Sequence, residues 1–443
     1  MKKCFLSFCV LIGLVISPLS FSVDSPGYID RAVILIEEGE LSLARSYLGP
    51  ALVDPYISPG LRSKAFYLRG YSYYAQGLLV SSLRDFNRAL EFSPNNPVVL
   101  FMVGRAHYEG LGTQPDPVLG VELFQRATDA GHEGASAYLG FALLQGKGVV
   151  KDISRARNLL SVVAEAKGDT FAMLQLARSY RRELTDSPDP ALAEQWYRRA
   201  FAAGEFNAYV ALAYMYSKGE FELTQIAANE RSFALLKEAL DAGAESAYAR
   251  LAYAHLAGIG TAVNYDKAFA LYGSGVELGQ AQSFTGVAHM FEAGLGRPVD
   301  LQLAESWYLR GIEAGDVYAH SALAYMLLRK GEDERALRWF SSATKFGGAQ
   351  SYNDLAWLLA TSKITELRNG ELSLQHALKA VDLAASAAYL DTLAAAYAES
   401  GLFADALLTQ EQAIAAAFAE DEGVKQELEL HLLSYQKQQP WRE

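Results

Sequence analysis

The stretch Ala191–Gly204, ALAEQWYRRAFAAG, decides the fold. Counted back from Gly204, an alanine stands at −11, a large apolar residue at −8 and a small residue at −4: Ala193, Trp196 and Ala200. The frame returns as Ala268, Leu271 and Gly275 before Gly279, as Ala304, Trp307 and Gly311 before Gly315, and as Ala336, Trp339 and Ala343 before Gly347. It recurs more loosely before Gly131, Gly168 and Gly243, so that successive glycines lie 37, 36, 39, 36, 36 and 32 residues apart. Such a period marks stacked helical pairs, each burying its apolar face only against its neighbours. The question of function becomes a question about a surface.

Outward from this stretch, residues 96–348 read as units of about 36 residues. Each first helix carries a small residue, an apolar one at +4, a small one at +5 and a bulky one at +8, as in Ala208, Leu212, Ala213 and Tyr216. A G-x-G loop often follows: Gly110 and Gly112, Gly146 and Gly148, Gly258 and Gly260, Gly294 and Gly296. The first glycine caps its helix in a left-handed conformation and the second lets the longer connection fold back. Residues 23–95 form shorter units, with a turn at Gly39 and a loop punctuated by Pro50, Pro55 and Pro59. Residues 349–443 return to short loops and end in a polar helix, about Asp421 to Gln436, of the kind a solenoid needs as a cap.

The segment GHEGASAYLGFALLQGKGVVKDISRA (131–156) is the closest match to the Sel-like repeat family, a longer-looped relative of tetratricopeptide repeats. The flanking units resemble tetratricopeptide repeats themselves, and the resemblance covers nearly the whole chain after residue 22. It implies an all-α, right-handed solenoid of antiparallel helix pairs and adaptor roles in envelope complexes, including signalling and polysaccharide export. It does not choose among them.

Residues 1–22 read as a targeting segment: Lys2 and Lys3, an apolar run from Phe5 to Ile16, Pro18, then Ser20 and Ser22 before a cut at Val23. An uncleaved N-terminal anchor is the alternative. A lipoprotein reading fails, because Cys9 lies inside the apolar run and follows Phe8. Both cysteines, Cys4 and Cys9, leave with this segment, so the mature chain has no disulfide or thiolate metal site. No other run approaches the length of a membrane span. Periplasmic or secreted localisation is expected.

With 39 Lys and Arg against 51 Asp and Glu, the chain carries a formal charge of −12, which disfavours nucleic acid. His132 and Glu133 lack the second histidine of a zinc helix, and Gly273-Ser274-Gly275 lies in a helix, not at a nucleophile elbow. The G-x-G loops follow helices, without the strand of a phosphate cradle. Seven scattered histidines read as packing residues, so no catalytic residue, metal or cofactor is expected.

One series is not explained by the core. At helical spacing the +4 and +8 positions project near about 40° and 80°, whereas +6 projects near about 240°. Position +6 gives Arg105, Phe141, Arg178, Tyr214, Tyr253, His289, Tyr325 and Trp357, with Tyr71 holding the same place nearer the N-terminus. The resemblance implies that this face lines a concave groove. Aromatic and arginine side chains are the usual anchors of interfaces. Alternatively, tight curvature makes neighbouring first helices cover these rings. The expected function is a non-enzymatic envelope scaffold holding a protein or peptide partner in the groove. A glycan-contacting scaffold of a polysaccharide assembly, in which the same rings stack on sugars, is the rival reading.

Overall fold

A computed structural model describes residues 24–417 and 422–443; the proposed targeting segment and Val23 lie outside the described residues. Those residues form 23 α-helices and short 3-10 turns, with no strand. The fold class is the expected all-α solenoid of helix pairs. Within residues 24–205, and again within the described residues from Phe206, each helix packs on the next, and some first helices of successive repeats also touch, as Glu133–Gln145 does Thr170–Ser179 and Ala281–Ala293 does Tyr318–Arg329. The chain divides into two compact units, one through Glu205 and one from Phe206.

The stretch that decided the fold is the helix Pro190–Ala202. Asp189 starts it by accepting the Leu192 N–H at 3.0 Å, and Pro190 in the first turn has no N–H left unsatisfied there. Gly204, at φ 95°, ends it, and the Glu205 N–H returns to the Ala200 carbonyl at 3.0 Å. Ala193, Trp196, Tyr197 and Ala200 form the buried face.

The +4 and +5 positions are buried in every unit, from Val103 and Gly104 to Leu355 and Ala356. Their smallness sets how closely the helices approach. A Cβ on Gly140 would lie 2.8 Å from the Leu160 side chain, so a larger residue would push the second helix away. The core is built in overlapping layers; Ala288, Tyr308, Leu323, Phe340 and Leu355, from five successive helices, share one apolar cluster.

The second glycine of each G-x-G loop does more than release the connection. A Cβ on Gly148 would lie 2.2 Å from the Pro117 carbonyl oxygen, and one on Gly260 would lie 2.2 Å from that of Asn229. Pro117 opens, and Asn229 lies in, the second helix of the preceding unit. The loops at Gly148 and Gly260 are thus seated backbone on backbone against the unit before them, whereas Gly296 faces the Tyr265 side chain.

Pro50 departs from the sequence expectation: it lies inside the helix Leu41–Val53 instead of in the following loop. Its missing N–H falls in the last turn, while buried Leu48 and Ala51 on either side hold the backbone helical. At the other end the polar helix is Glu422–Gln436, burying Leu428, His431 and Tyr435. Residues 437–443 then fold back, with Trp441 4.4 Å from the His431 ring and Arg442 paired to Glu399 at 2.6 Å.

Candidate functional site

In the unit through Glu205 two of the +6 series, Arg105 and Phe141, are covered by neighbours, while Tyr71 and Arg178 stay exposed. Arg105, half-buried on Pro97–Glu109, donates to the Tyr74 hydroxyl at 3.1 Å and lies 5.3 Å from the Tyr138 ring, bridging three first helices. Phe141 meets the edge of Phe171 at 5.7 Å. Tyr71 stands against Tyr67 and Tyr74 at 6.4 and 6.5 Å. Arg178 is exposed and donates to Gln175 at 3.2 Å.

In the unit from Phe206 the same series opens. Tyr214, Tyr253 and His289, from three successive first helices, line one cavity of about 790 Å³. Tyr253 is 54% exposed and Arg250 stands 5.6 Å from the Tyr214 ring. The floor includes Tyr272, buried under Gly286, where a Cβ would come within 2.2 Å of its ring. Burial raises the Tyr272 hydroxyl well above the ordinary phenol value, so it stays neutral. At one end Asp316 accepts from Thr285 Oγ1 at 2.6 Å and from the Tyr318 N–H at 3.1 Å, fixing the turn that presents Tyr318. Tyr325 and Trp357 line a different cavity, of about 860 Å³.

The difference between the two units follows from residues at −1, +2 and +3, which project near about 260°, 200° and 300°, beside +6. In the first unit these places hold Phe101, Tyr138 and Phe171, which pack ring on ring at 5.3 and 5.0 Å. In the second the +2 places of three successive first helices hold Ala249, Thr285 and Ser321, with Gly286 at one +3 place, and the space stays open.

Residues 97–132, 134–166, 170–205, 207–243, 245–280, 279–316 and 317–345 each match the Sel1 repeat. The chain belongs to the Sel1 repeat family. Among solved structures it is similar to a protective antigen of uropathogenic Escherichia coli displaying an SLR fold, at 22% identity over 94% of this chain and 92% of that one, TM-score 0.47. It is also similar to a Sel1 repeat protein from Oxalobacter formigenes, at 25% identity over 55% and 98% of the respective chains, TM-score 0.46. Yeast Tom70 matches at 15% identity over 94% and 96%, TM-score 0.45.

The first cavity therefore lies wholly within Sel1 units. Arg250, Gln282, Thr285 and Tyr318 also line it, and reading only the +6 position missed them. They occupy −1, +2 and +3 of their helices, so the same angular projection, applied one turn earlier, would have found them. Tyr318 is more exposed than Tyr253, at 72%.

Among the described residues no cluster of three His, Cys, Asp or Glu could hold a metal, and no helix is long and apolar enough to cross a membrane. His431 and Asp391 form a buried pair at 2.8 Å, but His431 Nε2 meets no hydroxyl or other partner. The ring packs beside Trp357 and Trp441, as a core histidine does. His255, expected at a packing position, is partly buried with Phe233 edge-on at 5.2 Å, and desolvation lowers its pKa below the ordinary value.

Proposed function

We propose that this Sel1 protein is a non-enzymatic scaffold, exported to the periplasm, that captures a protein or peptide partner through the cavity of Tyr214, Tyr253 and His289. The family supports a scaffold for protein–protein contact. The observation that carries the reading is the convergence of Tyr214, Tyr253, His289 and Tyr318 on one cavity with few fixed polar groups. Rigid aromatic rings give large contact area at small entropic loss, and Asn229, Gln282 and Thr285 can meet a partner's backbone amides.

The same rings could stack on sugars, and one experiment separates the classes. The chain is used as bait in envelope extract and, in parallel, on a glycan array. Specific capture of a protein, lost on substitution of the cavity tyrosines, supports the proposal; selective glycan binding with no protein captured overturns it. Export rests on the Lys2-to-Ser22 pattern and is tested by N-terminal sequencing of envelope-extracted protein. A start at Val23 is expected, and an intact Met1 rules out cleavage.

A further inference from the structure

The cavity lined by Tyr325 and Trp357 shares no lining residue with the cavity of Tyr214 and Tyr253, and its chemistry is different. Its carboxylates are Asp333, Asp354, Asp391, Glu427 and Glu443, against the cations Arg329 and Lys363. Arg329 is already paired with Glu292. A cluster of acids alone specifies nothing, but two buried acceptors at this site lack partners.

Asp354, 3% exposed, accepts at Oδ1 from Tyr325 at 2.7 Å and from Gln350 at 2.6 Å, while its Oδ2 accepts no hydrogen bond. Ser321 and Asn353 act as weak hydrogen-bonding neighbours that favour the charged form of the carboxyl, yet neither meets the distance and angle of a full hydrogen bond at that oxygen. Asn353, 9% exposed, also lines the cavity with an unpartnered Oδ1. Buried acceptors left open are destabilising unless something donates to them. Beside them Trp357 and Tyr325 present aromatic surface, and Leu328 and Leu358 add an apolar wall. Paired acceptors, excess negative charge, aromatic faces and an apolar neck suit a cation carried on an aliphatic stem.

We propose that this cavity takes the ammonium or guanidinium end of a lysine or arginine side chain from a partner polypeptide. The cationic head donates to Asp354 Oδ2 and Asn353 Oδ1, and the methylene stem lies along Leu328, Leu358 and the Trp357 ring. Asp333 and Glu427 add long-range attraction, and Lys363 opposes it. The inference rests on the polypeptide-binding reading for its occupant but on different residues for its site.

The test uses the whole exported chain and labelled 12-residue alanine–glycine peptides with one central lysine, arginine or glutamine, read by fluorescence anisotropy at low salt. The lysine and arginine peptides should bind at least about ten-fold tighter than the glutamine peptide, the scale of one charge-assisted contact. Asp354→Asn should remove most of that preference, and Glu427→Gln, at an exposed position, should weaken binding by roughly two- to threefold. Lys363→Ala should tighten binding, a gain that a purely structural role does not produce. Equal binding of the three peptides overturns the proposal. So does unchanged affinity in both acidic variants when their melting curves match the parent. Spermidine binding without any lysine-peptide binding overturns the polypeptide occupant. Capture through Tyr214 and Tyr253 is read in a different experiment, so the two readings fail separately.

Discussion

Tyr325 donates its hydroxyl to Asp354 at 2.7 Å, joining the first helices Tyr318–Arg329 and Ala349–Thr361 of successive units. Burial is the largest influence on the Asp354 carboxyl and raises its pKa above the ordinary carboxylate value, against the hydrogen bonds that lower it. The folded chain therefore holds this proton more tightly than the unfolded chain. The associated stability is fully present below the ordinary carboxyl value and is lost as pH rises through the folded one. Asp354→Asn keeps the acceptor for Tyr325 and removes the titration. Its melting temperature relative to the parent should rise as pH increases above the ordinary carboxyl value. A difference independent of pH would show that Asp354 is not held in a desolvated site.

Gly260 and Gly279 share a left-handed backbone, φ 68° and 71°, but differ in surroundings. Around Gly279 a Cβ meets nothing within 4 Å, whereas at Gly260 it meets the Asn229 carbonyl at 2.2 Å. Gly279→Ala should lose only the conformational term, ~1–2 kcal/mol. Gly260→Ala should lose that and a further ~1–3 kcal/mol, because backbone cannot step aside as a side chain can. Urea midpoints decide it. Equal losses would mean that the loop is not seated on the helix Gln225–Asp241.

Arg105 looked from sequence like an exposed anchor, but it is bound to Tyr74 and Glu109 and lies over Tyr138. Arg105→Ala should lower stability by ~1–2 kcal/mol through lost hydrogen bonding and cation–π contact. Arg105→Lys should recover only part, since an ammonium cannot reproduce the planar fork. Thermal melts of both variants provide the check. A variant that melts like the parent would show that these contacts add nothing.

The fold was legible because one glycine-anchored frame fixes two core places in each second helix: Ala193 and Ala200, Ala268 and Gly275, Ala304 and Gly311 are all buried, while the −8 residue is buried at Trp196 and half-buried at Leu271, Trp307 and Trp339. The small +5 residues were legible for the same reason: helical spacing determines which face is covered. The open cavity was less so. Whether a +6 ring is covered depends on side chains at −1, +2 and +3 of its own helix and of the neighbouring first helices. Phe171 closes over Phe141, and Gly286 leaves room beside Tyr253. Pro50 could not be placed from sequence, because burial of Leu48 and Ala51 overrides the usual break. The partnerless Oδ2 of Asp354 depends on the three-dimensional placement of Ser321 and Asn353, which no spacing encodes.

Ala200 is fully buried at the −4 position of the stretch that decided the fold. Its carbonyl also receives the Glu205 N–H that closes the helix end. Ala200→Leu adds bulk where there is no space, and should lower unfolding free energy by ~1–3 kcal/mol in urea. An unchanged midpoint would place this residue away from any tight helix crossing.

Tyr214 and Tyr253 give the sharpest division between binding and stability. Both line the Sel1 cavity, and Tyr253 presents about half of its surface to solvent. If the cavity is the capture site, replacing both with alanine should weaken partner capture by at least ~2 kcal/mol, the loss expected when a pair of aromatic anchors is removed. Stability should fall less in this variant than in one that truncates the buried floor. Tyr272→Ala, which removes a ring packed under Gly286, supplies that comparison and should cost about 3–5 kcal/mol. If these rings serve only to cover neighbouring helices, the double variant should instead melt as early as Tyr272→Ala and, where still folded, capture the partner normally. Melting curves and a capture titration on the same three proteins therefore separate the two roles, since one role predicts loss in the first measurement and the other in the second.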